Sequence, residues 1–114
     1  MEDNNPKLLS ITSSLVKKDF DLATQEPFMT EEALLQALAD RVYQLIEENL
    51  EQLFSILYRL DVNERKVHLA LKENNDIPAN IEIARLIVAR QKEKAKTRMQ
   101  YSSEEVDDEE ATPW

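Results

Sequence analysis

"TEEALLQALADRVYQLIEENLEQLFSILYRL", residues 30–60, is the stretch that decides the fold. Placed at steps of about 100° around a helix, Leu34, Leu35, Leu38, Val42, Leu45, Ile46, Leu50, Leu53, Ile56, Leu57 and Leu60 fall in one arc. Phe54 stands at its edge. Asp40, Arg41, Gln44, Glu47, Glu48, Glu51 and Ser55 fall on the opposite side. Thr30 can cap the N-terminus, and Glu31 and Glu32 suit the positive end of the helix dipole. No proline interrupts the run. The pattern predicts one amphipathic helix over 30–60, roughly 45 Å long at about 1.5 Å per residue. Its apolar arc spans about 200°, wide enough to face two neighbours.

Working outward, "LDVNERKV" at 60–67 breaks the helix. Asn63 can cap a second helix, with Val62 and Val67 as a hydrophobic staple across it. That helix is expected over 63–73, burying Val67, Ala70 and Leu71, and the turn formers Asn74, Asn75, Asp76 and Pro78 end it. A third helix is expected over 79–100. Its first half is apolar almost all round: Ile81, Ala84, Ile87 and Val88 lie on one side, Ile83 and Leu86 on the other. Such a segment needs neighbours on more than one side. Near the N-terminus, Pro6 can start a short helix over 6–18, with Leu8, Ile11, Leu15 and Val16 at helical spacing. Thr12, Ser13 and Ser14 weaken its helix propensity. The expected organisation is an N-terminal segment with a linker at 1–28, a helical domain at 29–101 and a disordered acidic tail at 102–114.

The fold class is therefore all-α: a long helix, a short helix and a second long helix, forming a helical hairpin or three-helix bundle. The short helix cannot cover the wide arc of the long one. The surplus predicts self-association, a homodimer through Leu38, Val42, Leu45, Ile46, Asn49, Leu53, Ile56, Leu57 and Leu60. Asn49 is the anomaly in that list, a polar residue inside the apolar arc. A buried asparagine can fix register or oligomeric state, pairing with its copy across a two-fold axis. The alternative is that it faces backbone or solvent near a helix end.

Composition excludes several function classes. The chain has no cysteine, so no disulfide, thiolate zinc site or cysteine nucleophile exists. It has no glycine, so phosphate-cradling glycine loops are absent. The net charge of −9 disfavours nucleic acid and anionic membrane as partners. No apolar run reaches the length of a membrane span. "MEDNNPKLL" is acidic where a secretory or transit signal is not, and a cytoplasmic location is expected.

Charge changes sign within 85–110. Arg85, Arg90, Lys92, Lys94, Lys96 and Arg98 precede Glu104, Glu105, Asp107, Asp108, Glu109 and Glu110. The basic residues scatter around the helix, with Arg85, Lys92 and Lys96 loosely grouped as a possible charged contact. Cations also suit a helix C-terminus. His68, the one histidine, shares a face with Glu64, but the repeated Glu-x-x-His pattern of a di-iron bundle is missing. Glu47, Glu48 and Glu51 read as a solvated face rather than a catalytic pair. Ser102 and Ser103 stand in an acidic context suited to phosphorylation, and Trp114 is an aromatic end that could dock. No cofactor, metal or catalytic activity is expected. The leading reading is a small interaction protein, an adaptor or regulator acting through helix packing with itself or another helical protein. The alternative is a nucleic-acid-associated regulator using a helix-turn-helix-like segment at 63–98.

Overall fold

The computed structural model describes residues 6–22, 28–72 and 76–108, with side-chain surroundings up to residue 100. Among these the chain is all-helical, and five helices pack together. They are α1 (Pro6–Phe20), α2 (Glu31–Glu48), α3 (Leu50–Leu60), α4 (Glu64–Leu71) and α5 (Ala79–Asp108). Residues 1–5, 23–27, 73–75 and 109–114 lie outside the described residues, as does part of the expected linker and of the acidic tail.

Helix ends follow from side-chain chemistry. Thr30 Oγ1 accepts from the Ala33 amide at 3.0 Å to start α2. Asn63 Oδ1 accepts from the Lys66 amide at 3.0 Å to start α4. Val62 and Val67 on either side of that cap are both buried, as the staple requires. The carbonyl of Pro78 receives the amides of Ile81 and Glu82, both at 3.1 Å, at the start of α5. Without glycine, the left-handed positions that end α1 and α3 fall to aspartate: Asp21 has φ 52° and Asp61 φ 64°. After each, an amide turns back onto the helix, Leu22 to Lys17 O and Val62 to Leu57 O. Two arginines complete these ends. Arg41 Nε donates to Phe20 O at 3.0 Å, and Arg90 Nε to Leu60 O at 3.1 Å.

The expected single helix over 30–60 is two helices, and Asn49 divides them. Its amide donates to Leu45 O at 2.8 Å, closing α2. Its Oδ1 accepts from the Gln52 amide at 3.1 Å, opening α3. Asparagine favours caps because its side chain competes for backbone amides. Asn49 is exposed, so the expectation of a buried register residue gives way to its alternative.

Helix α5 lies at the centre. It packs against α1, α2 and α4, which is how its near-continuous apolar first half is satisfied. Ile83, Ala84 and Ile87 have no exposed surface. Helix α2 runs antiparallel to it: Asn80 Nδ2 reaches Ala39 O at 3.1 Å, and Lys92 Nζ meets Glu31 Oε1 at 2.9 Å. Helix α1 also covers α2 and α5, and extends past the expected 6–18 to Phe20. Val16 and Phe20 belong to the same apolar cluster as Leu38, Leu53 and Ile87, so the N-terminal segment shares the core of 29–101. At the other end α5 continues to Asp108, past the expected start of a disordered tail at 102. No glycine or proline lies between Ala79 and Asp108 to stop it.

One seam of the core is polar. Thr12, Ser13 and Gln91 are all buried. Gln91 Nε2 donates to Asp19 Oδ2 at 2.8 Å, and Asp19 Oδ1 lies 3.8 Å from Arg59 Nη2. Among the described residues, Thr12 Oγ1, Ser13 Oγ and Gln91 Oε1 have no hydrogen-bond partner. A buried hydroxyl without a partner loses its hydration for nothing. Thr12→Val, near-isosteric, is expected to stabilise the fold by ~1 kcal/mol. Circular dichroism melting would show the midpoint rising by a few degrees; a lower midpoint would mean that the hydroxyl is engaged.

Candidate interaction surface

The apolar stripe expected to meet a second chain is consumed within this one. Leu38, Val42, Leu45, Leu53, Ile56, Leu57 and Leu60 are buried in the chain's own core, and Ile46 is half-buried against it. Helices α1 and α5 supply the second neighbour that the wide arc demanded. The physical ground for a dimer through these residues is thereby removed.

The basic group on α5 is partly engaged within the chain. Arg85 Nη1 lies 3.9 Å from Glu82 on its own helix. Lys92 is half-buried in its pair with Glu31. Lys96 is exposed farther along α5. Ser102, Ser103 and Trp114 lie where no side chain is described.

The groups weighed for metal binding or catalysis stand at the surface. His68 Nε2 and Glu64 Oε2 are 3.7 Å apart, and both side chains stand well out in solvent. Glu47, Glu48 and Glu51 are exposed on the outer sides of α2 and α3. Among the described residues no three histidine or carboxylate groups could hold a metal ion. No helix among them is long and apolar enough to cross a membrane.

What remains is the surface around α4. This two-turn helix is a ridge with a groove on each side. The groove toward α3, about 620 Å³, is lined by Phe54, Leu57, Tyr58, Val62, Val67 and His68, with Asp61, Glu64 and Arg65 at its edge. The rings of Phe54 and His68 lie 6.1 Å apart and tilted by 42°. The groove toward α5, about 470 Å³, is lined by Leu69, Ala70, Ile77 and Leu86, with Lys66, Asp76 and Glu82 around them. Tyr58 is 86% exposed and Leu69 50%. Ile77 is also open to solvent. Apolar surface gathered beside concave ground marks an interaction site more often than scattered single residues do.

The sequence pointed to Leu57 in the stripe and weighed His68 with Glu64 for a metal, but it did not single out the α4 surface as a site. The signal was present. At helical spacing Leu69 falls opposite Val67 and Ala70, the pair that α4 buries. Tyr58 likewise falls on the polar side of 30–60. Reading for the buried face hides what is apolar on the other one. No protein-family model matches the chain, and no curated protein or solved structure matches it either.

Proposed function

We propose that the chain is a small protein–protein interaction module, an adaptor or regulator that works by helix packing and not by catalysis. The observation that carries this reading is the apolar surface around α4, left outside a core that the chain completes by itself. Its occupant would lie across the ridge. Leu69, Ile77 and Leu86 would take apolar side chains in one groove, and Phe54, Tyr58 and His68 would take them in the other. Aromatic and aliphatic anchors at the centre, with charges at the rim, are the arrangement of an interface hot spot.

The nucleic-acid alternative is weakened by how the cations of 63–98 are used. Arg85 pairs with Glu82, and Lys92 with Glu31. Arg90 serves Leu60 O and lies near Asp61 and Glu93. These three of the segment's nine Lys and Arg residues are engaged within the chain, and the chain's net charge of −9 opposes phosphate contact by the whole.

A photo-crosslinking residue in place of Tyr58 tests the proposal in cells of the source. The expected result is one or a few discrete adducts that disappear when Leu69→Glu is added. The same residue in place of Gln36, exposed on α2, should not give them. Identical adducts from both positions, or none from Tyr58, would leave the α4 surface without a partner.

A further inference from the structure

A third groove, away from α4, has a different character. It is about 710 Å³ and lies along the outer face of α2, beside the end of α1. Leu22, Phe28 and Tyr43 give it an apolar floor. Leu22 and Phe28 are half-buried, and Tyr43 is 56% exposed. Leu22 follows the left-handed turn at Asp21. Among the described residues Asp21, Asp40, Glu47 and Glu48 line it with one cation, Arg41. That leaves three carboxylates in excess.

Arg41 does not answer them. Its Nε is held by Phe20 O, and its Nη1 by Gln44 Oε1 at 2.8 Å. Asp40 accepts from the neutral amide of Gln36 at 3.1 Å. Among the described residues none of the four carboxylates has a cationic partner within ion-pair distance. Asp40 and Glu47 are seven residues apart on α2, or about 10 Å at 1.5 Å per residue. Two turns of a second helix laid alongside span the same length.

We propose that this groove is a binding site for a basic amphipathic helix of another protein. An apolar side chain of that helix enters between Leu22, Phe28 and Tyr43. Its Lys or Arg side chains, two turns apart, meet Asp40 on one side and Glu47 and Glu48 on the other. Apolar contact supplies affinity in such a groove, and the rim charges supply orientation and speed of encounter. The open face of Tyr43 adds a place for a cation to stack. The site is independent of the α4 surface, so either can fail without the other.

The test uses the full chain and a fluorescein-labelled peptide of alternating leucine and lysine blocks, designed as an amphipathic helix. A scrambled peptide of the same composition is the control. Anisotropy should show saturable binding that the scrambled peptide matches poorly. Glu47→Lys/Glu48→Lys should weaken it by ~10-fold or more. Glu64→Lys/Asp76→Lys, the same charge change elsewhere on the surface, should weaken it by less than ~3-fold, because rim charges act locally at moderate salt. Tyr43→Ala should also weaken it. In amide spectra, which show in passing that each variant is folded, peptide-induced shifts should centre on Ala37, Tyr43 and Gln44. Equal losses from the two charge-reversed pairs would overturn the proposal, as would equal binding of the scrambled peptide, shifts centred on α4, or no binding. Self-association of the free protein, abolished by Glu47→Lys/Glu48→Lys, would assign the groove to a second copy and overturn the choice of occupant.

Discussion

Phe20→Ala is expected to lower the free energy of unfolding by about 3–5 kcal/mol. Phe20 is the last residue of α1 and is 1% exposed. Its ring is part of the common apolar cluster, and its carbonyl is held by Arg41. Truncation leaves a cavity that packed helices fill only in part. A single domain has only about 5–15 kcal/mol to lose, so the variant should unfold at a much lower urea concentration. The slope of the transition should stay the same if α1 unfolds together with the rest. The exposed neighbour Lys18 is the control, and Lys18→Ala should change stability by less than about 0.5 kcal/mol. A loss below ~1 kcal/mol for Phe20→Ala would mean that α1 is an appendage and not part of the core.

The second large effect is at Asn49. Loss of an N-cap costs about 0.5–2 kcal/mol, and Asn49→Ala should fall in the upper part of that range because the residue also closes α2. Asn49→Asp keeps the accepting oxygen for the Gln52 amide and should recover most of the loss. Asn49→Leu separates two physical pictures. At an exposed junction between helices it destabilises and leaves the molar mass unchanged. In a buried seam it would alter oligomeric state, as such asparagines do in coiled coils. Urea titration together with sedimentation equilibrium, over a wide concentration range, reads both quantities. A change of mass with Asn49→Leu would bring residues 34–60 back as an interface.

The helical period of 30–60, the staple of Val62 and Val67, the cap at Asn63 and the all-round apolar start of α5 were legible because each is a local pattern. Asn49 was misleading for the same reason. Periodicity continues across it in phase, so a wheel drawn through 30–60 cannot see the interruption, although asparagine is a capping residue by chemistry. The cover supplied by α1 was hidden differently. Thr12 and Ser13 lie on its buried side, and hydroxyls at those positions made the helix look weaker than its docking is. The ion pair of Lys92 with Glu31 and the bond from Asn80 to Ala39 join residues far apart in the chain. No local spacing announces such contacts. The grooves beside α4 and α2 are equally non-local, since each is walled by more than one segment.

Asp21 and Asp61 have a further consequence, and it concerns the chain before it folds. Both adopt backbone angles that glycine enters freely and that cost most other residues about 1–2 kcal/mol. Aspartate tolerates them better than most, because its short side chain can bond locally. With no glycine at any of its 114 positions, the denatured ensemble lacks its most mobile links. Folding then has less disorder to overcome at the two turns, where a glycine would have added most to the entropy of the unfolded chain. Part of what holds these helices together is therefore not a contact at all, but the narrowness of the alternatives open to the chain.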